Sequence, residues 1–171
     1  MLNLTLLIRD PTLADRKELT VATALTEELL RDIRGVVSRL RDADGIDVGE
    51  AFRRLVQPVP DPRIHVQVAA DARVDDAAQA ETLVRLAQEG ITNAIRHAAA
   101  RNVWLTLSRK ANELELAIED DGRFKLPLTI GNGLRGMRER VQQSGGTIDV
   151  ASARGRGFEV HIRLPLAGSA A

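Results

Sequence analysis

Residues 88–98 read Gln-Glu-Gly-Ile-Thr-Asn-Ala-Ile-Arg-His-Ala (QEGITNAIRHA). In a helix of 3.6 residues per turn, a step of four residues drifts only about 40°, so Glu89, Asn93 and His97 line one face. Ile91 and Ile95 lie opposite and are expected to enter a core, leaving the polar stripe facing either a cleft or bulk solvent. Leu83, Leu86, Ala87, Ile91, Ala94 and Ile95 keep helical spacing, which predicts a long helix over residues 76–99.

Working outward from that helix, alternation of apolar and polar residues predicts strands at 102–108 and 112–119. A loop follows, then a helix over 134–143 and strands at 147–151 and 157–164. On the N-terminal side, Ile64, Val66 and Val68 alternate as in a half-buried strand, preceded by the PVPDP stretch at 58–62 and a short helix at 49–56. Ala22, Leu25, Leu29, Ile33, Val36, Val37 and Leu40 form an apolar stripe that predicts one long helix over 13–41. Pro11 and Thr12 sit where that helix starts, so residues 2–9 read as the tail of an earlier helix, making an antiparallel hairpin with one short arm. Helices and strands mix without a regular βαβ repeat, which predicts an α+β fold built as a two-layer sandwich. The expected divisions are a helical hairpin at 1–45, a linker with a short helix at 46–62, the main domain at 63–166 and a tail at 167–171.

The composition is that of an ordinary globular chain, with 44% apolar and 28% charged residues in 171. Lys plus Arg equals Asp plus Glu at 24 each, so no overall field draws the chain to nucleic acid or an acidic membrane surface. The absence of cysteine excludes thiol redox chemistry and thiolate metal sites, and fits a reducing compartment. The opening MLNLTLLIRD lacks the layout of a secretory signal, and no apolar run approaches the roughly 20 residues of a spanning helix. A soluble chain without membrane contact or nucleic-acid partner is expected.

Three further motifs could carry chemistry. Asp120, Asp121 and Gly122 follow directly on the LELAI strand, suiting either ligand binding at a strand end or a plain polar turn. Residues 131–140, GNGLRGMRER, are a glycine loop running into a helix, where backbone N–H groups and the positive helix end favour phosphate. Gly131, Gly133 and Gly136 match the spacing of a dinucleotide-binding loop. That fold needs the loop after the first strand of a repeating parallel unit, and too little chain follows Gly136 to build one. Arg154 to Gly157 lie between two strands and read by themselves as a hairpin turn.

Taken in order, the Glu89-Asn93-His97 helix, Asp120–Gly122, Gly131–Met137 and Gly155–Gly157 resemble the GHKL (Bergerat) ATPase superfamily. Within it the chain looks like the catalytic domain of bacterial sensor histidine kinases, over roughly residues 63–165. EGITNAIRHA, GNGLRGMRERV and SGGTI are similar to the subfamily whose response regulators carry LuxR-type output domains. RDIRGVVSRLR resembles the second helix of that subfamily's dimerisation and phosphoacceptor hairpin, which implies a homodimer. The resemblance implies Mg²⁺ and ATP as cofactors. It implies that Asn93 ligates Mg²⁺, that Glu89 orients a metal-bound water, and that Arg96 or His97 approaches the phosphates. It further implies that Asp120 accepts a hydrogen bond from the adenine amino group and that Gly122 lets the base come close. The same resemblance implies that Gly131, Gly133, Leu134 and Gly136 form a lid over the triphosphate, with Met137 and Gly157 completing the nucleotide set.

The chain departs from the pattern where Phe158 replaces a threonine after Gly157, and where Phe124 replaces a glycine after Arg123. The acceptor histidine of the His-Asp motif is also missing: His97 belongs to the ATP helix, while His65 and His161 fall in strands. A chain beginning just after the acceptor is therefore expected, one that binds nucleotide without phosphorylating itself. Its expected place is the cytoplasm, the resemblance allowing an inner-membrane anchor in the full-length protein. Two rivals fit the same motifs. A GHKL serine kinase of the anti-sigma type would lack the long helix at 13–41, and a dimeric nucleotide-binding module would lack transfer activity.

Overall fold

In the computed structural model, which describes residues 40–42, 45–123, 132–153 and 156–166, the alternating segments form one five-stranded sheet. The elements are β1 (Arg41–Asp42), β2 (Gly45–Ile46), α1 (Val48–Val56), β3 (Arg63–Val68) and α2 (Ala77–Asn93). A π-type turn (Ala94–Ala98), β4 (Asn102–Lys110), β5 (Glu113–Asp120), α3 (Asn132–Gln143), β6 (Thr147–Ala153) and β7 (Arg156–Pro165) follow. The sheet order is β3-β4-β5-β7-β6, with β3 and β4 parallel and the other pairs antiparallel. Parallel neighbours require a crossover, and α2 supplies it.

Period-two patterning fixes which face is covered. Val103, Leu105 and Leu107 of β4, Leu114, Leu116 and Ile118 of β5, and Val160, Ile162 and Leu164 of β7 are all buried. Their alternates Trp104, Glu113, Glu119 and Arg163 are exposed. The buried face carries the helices: α2 packs against β5, α1 and α3, and α3 also meets β6. This is the two-layer α+β sandwich expected, with the helices among the described residues on one face of the sheet.

Three expectations need correction. Leu40 lies in a turn and Arg41–Asp42 pair with Gly45–Ile46 in an antiparallel ladder, so no helix extends to residue 41; residues 13–39 lie outside the described residues. The stretch 46–62, read as a linker from its prolines and glycines, is packed: Ile46, Val48, Ala51, Phe52 and Leu55 are buried and α1 rests on α2 and β3. Proline and glycine mark changes of direction, while the amphipathic stripe between them still buries its apolar side. The Asp47 carboxylate starts that helix by accepting the Glu50 N–H at 2.9 Å.

Ile95 does not enter the core; it is 38% exposed, while Ala94 and Ala98 are buried in its place. The last turn of the helix, Ala94–Ala98, is wound with i→i+5 bonding. Ala94 and Ala98 share the buried side, while Ile95, four residues after the buried Ile91, stands at the exposed edge of that stripe. The start of α2 follows its sequence signal, Asp76 accepting the Gln79 N–H at 2.9 Å.

Candidate active site

The polar stripe of α2 faces the beginning of α3. A β-carbon built on Gly133 would collide with Glu89 Oε1 and stand 3.3 Å from Asn93 Oδ1, so the first turn of α3 rests directly on the stripe. Glu89 and Asn93 are partly exposed, where α2 meets the start of α3. Asn93 Nδ2 and Arg96 Nε are buried, as is Gln88 Nε2, and none has a hydrogen-bond partner among the described residues. Native proteins pair nearly all such groups, so the donors of Asn93 and Arg96 at the helix end mark a place where a polar ligand can complete the bonding. Arg96 and His97 belong to the π-type turn, a conformation often found at functional sites. The His97 side chain lies outside the described atoms.

The second half of the site is the turn after β5. Gly122 stands against the end of the π-type turn, where a β-carbon would collide with the Ala98 carbonyl oxygen and lie 2.5 Å from Ala98 Cβ. The Arg123 N–H donates to the same carbonyl at 2.7 Å. This contact ties the Asp120–Gly122 turn to the helix that bears Asn93 and Arg96, segments separated by two strands in the sequence.

The structure separates the adjacent aspartates. Asp121 accepts from the Arg101 N–H at 2.7 Å, the Asn102 N–H at 2.8 Å and Asn102 Nδ2 at 2.7 Å. Those bonds, the Asn102 side chain's first, hold its carboxyl below the usual range. It fastens the turn before β4 and is occupied by that task. Asp120 points the other way, its Oδ1 accepting the N–H groups of Gly122 at 2.8 Å and Phe158 at 3.3 Å. Burial pushes its carboxyl above the usual range despite those two donors, with the Asp121 charge adding to the rise. No described residue donates to its Oδ2.

Gly157 completes this corner. Its φ is +23°, and a β-carbon there would collide with the Asp120 carbonyl oxygen, so only glycine fits. Of the expected lid, Gly133 meets Glu89, Leu134 is half-buried and Gly136 faces open space, while Gly131 lies outside the described residues. Met137 is fully buried with Val141, on the core side of α3. Sequence reasoning missed the roles of Ala98 and of the Phe158 N–H. Both act through the backbone, which leaves no side-chain signal.

Among the described residues, no three His, Cys, Asp or Glu side chains gather as a metal-binding set. Also among them, no helix is long and apolar enough to cross a membrane.

Residues 78–168 match the family model described as histidine kinase-, DNA gyrase B-, and HSP90-like ATPase, over more than half of the chain. The chain belongs to this ATPase family. Membership makes ATP the nucleotide of the fold, and the matched span holds both halves of the site. The chain is 31% identical to the sensor histidine kinase YxjM of Bacillus subtilis, over 84% of this chain and 36% of that protein. It is 33% identical to the signal transduction histidine-protein kinase/phosphatase UhpB of Salmonella typhimurium, over 89% of this chain and 32% of that protein. The chain thus spans about a third of the length of these curated relatives. Among solved structures, the histidine kinase domain of a blue-light activated histidine kinase from Erythrobacter litoralis superposes with a TM-score of 0.64 at 23% identity. That likeness covers 91% of this chain and 77% of the other, and it shows the shared fold.

Proposed function

We propose that this chain is the ATP-binding catalytic region of a two-component sensor histidine kinase. In this reading it donates the γ-phosphoryl group of ATP to a histidine outside these residues, for onward transfer to a response-regulator aspartate. The observation that carries the proposal is the pair of buried donors Asn93 Nδ2 and Arg96 Nε, without a partner among the described residues, with Asn93 and the Glu89 carboxylate meeting at Gly133. Leaving a buried donor unpaired costs about 1–3 kcal/mol, and a bound polyphosphate offers the missing acceptors. The Asn93 amide oxygen and the Glu89 carboxylate are hard oxygen ligands of the kind Mg²⁺ takes in small number, keeping water and phosphate for its other positions.

On this proposal Asn93 ligates Mg²⁺, Glu89 orients a metal-bound water, and Arg96 or His97 approaches the phosphates. Asp120 reads the adenine amino group and Gly122 allows the base close approach. Gly131, Gly133, Leu134 and Gly136 close over the triphosphate, with Met137 and Gly157 supporting the pocket. Bound Mg-ATP supplies the transferable phosphoryl group and neutralises its charge. The protein's own contribution is positioning and fixed electrostatics, which phosphoryl transfer chiefly requires.

The acceptor is not one of this chain's own histidines. His65 stacks on Trp104 with ring centroids 5.6 Å apart, and His161 bonds Glu159, both on the sheet face opposite the one that carries α2. We assign residues 63–166 as the ATP-binding domain, with 46–62 packed on it, the part of 1–45 that precedes the Leu40 turn and the β1-β2 ladder as part of a dimerisation hairpin, and 167–171 as a tail. The apolar spacing from Ala22 to Val37 in the sequence supports a homodimer, since a single hairpin cannot bury its whole seam. The wording of the Glu89 and Gly133 motifs supports a response regulator with a LuxR-type output. We place the region in the cytoplasm, with an inner-membrane anchor in the full-length protein.

Calorimetric titration with Mg-ADP tests the reading. Binding by the wild type, lost in a folded Asn93→Ala variant, is expected. A wild type that binds no adenine nucleotide overturns it. Transfer is tested by adding a separate hairpin bearing the acceptor histidine. Acid-labile phosphate on that hairpin is expected, and acid-stable phosphate on serine of a partner would identify a serine kinase instead.

A further inference from the structure

Asp120 and Phe158 are cross-strand neighbours. Ile118 pairs with Val160 and Glu119 with Glu159, so the next step of the same antiparallel register sets Asp120 opposite Phe158. Strand alternation puts both on the covered face, Asp120 in line with Leu116 and Ile118, and Phe158 in line with Val160 and Ile162. Opposed residues on one face bring their β-carbons to about 5 Å, within reach of an aromatic ring. Phe158 is almost wholly buried, at 4% exposure, and its N–H already holds Asp120 Oδ1. Gly157, which admits no side chain, lets β7 come this close to Asp120.

We propose that Phe158 is a specificity-determining residue of the nucleotide site. Its ring forms the apolar wall beside Asp120, leaving Asp120 Oδ2 as the one side-chain group, among the described residues, that reads the polar edge of the base at this corner. The proposal rests on the assignment of Asp120 to the base.

A phenylalanine side chain neither donates nor accepts a hydrogen bond, so a base carrying an oxo group in place of the amine meets an ionised carboxylate and no donor. A buried polar group left unpaired in this way gives strong discrimination.

The test compares Mg-ADP with Mg-IDP, which replaces the amine by an oxo group, in the full chain and in Phe158→Leu and Phe158→Thr, each checked for folding by thermal melting. The wild type is expected to prefer ADP by at least about tenfold. Phe158→Leu is expected to weaken both nucleotides by about fivefold and to keep their ratio. Phe158→Thr, which adds a hydroxyl donor, is expected to narrow the ratio. Nucleotide affinities and ratio unchanged in both folded variants overturn the proposal, because a residue that merely fills the core moves the melting temperature alone. A wild type that binds neither nucleotide would instead defeat the assignment of Asp120. Should the variants not fold, the unaltered protein still decides. Contacts between the adenine protons and the Phe158 ring, seen as NMR cross-peaks on binding ADP, support the proposal, and their absence in the ADP-bound protein overturns it.

Discussion

Gly133 abuts Glu89: a β-carbon at residue 133 would collide with Glu89 Oε1 and stand 3.3 Å from Asn93 Oδ1. The obstructing atom is the far end of a flexible side chain, so the protein accommodates the methyl group of Gly133→Ala by turning the Glu89 carboxylate aside. Alanine is also favoured over glycine in a helix by about 1 kcal/mol. The melting temperature is therefore expected to hold or rise, while the rate of phosphoryl transfer to a supplied acceptor hairpin falls at least about tenfold. A rate equal to wild type would separate the Glu89 position from the chemistry.

Asp120→Asn should part stability from binding. A carboxyl raised by burial binds its proton more tightly in the folded chain, so ionised Asp120 costs stability above its raised pKa, and the cost fades as pH falls. The amide removes that cost, so the melting temperature at neutral pH is expected to be equal to or above wild type. ADP affinity should drop about 10- to 100-fold, the worth of a hydrogen bond to a charged acceptor. In the wild type, ADP affinity should decline on acidification from above the usual aspartate range, and calorimetry across pH should find that step absent in the variant.

Asp121→Asn should do the reverse. Hydrogen bonds from Asn102 and Arg101 hold the Asp121 carboxyl low. Its stabilising contribution is fully present above the ordinary aspartate range and is lost as pH falls through the depressed value. The variant is expected to melt lower near neutral pH, with the difference closing in acid, and to bind ADP as the wild type does.

Gly157→Ala places a methyl group on the backbone carbonyl of Asp120 in a left-handed conformation, and backbone cannot swing aside as a side chain does. A loss of about 3 kcal/mol is expected in chemical denaturation, together with weakened ADP binding. An unperturbed denaturation midpoint would show that β7 does not need this approach to Asp120.

Phe52→Ala tests whether α1 belongs to the ATP-binding unit. Phe52 is fully buried, and truncating such a ring costs about 3–5 kcal/mol. Loss of the cooperative unfolding of the whole unit at lower denaturant is expected. A local change that leaves the main transition in place would make residues 46–62 a separable arm.

The polar stripe, the sheet and its covered face were legible in the sequence because each rests on short-range periodicity. Four-residue spacing aligned Glu89 with Asn93, and alternation along β4, β5 and β7 assigned their inward residues. The Asp47 and Asp76 caps likewise lie three residues from the N–H groups they hold. What only the tertiary structure decided is where the chain meets itself. Adjacent aspartates look alike in sequence, yet Asp121 is held by Asn102 while Asp120 is turned toward Gly122 and Phe158. Ile95 is exposed although Ile91, four residues earlier, is buried, and the small Ala98 takes the inner place, an outcome that helical periodicity does not encode. Gly133 meets Glu89, and Gly122 meets Ala98, through contacts between segments far apart in the chain. Periodicity reports the local path of the backbone; which groups then converge depends on register and close packing over the whole sheet.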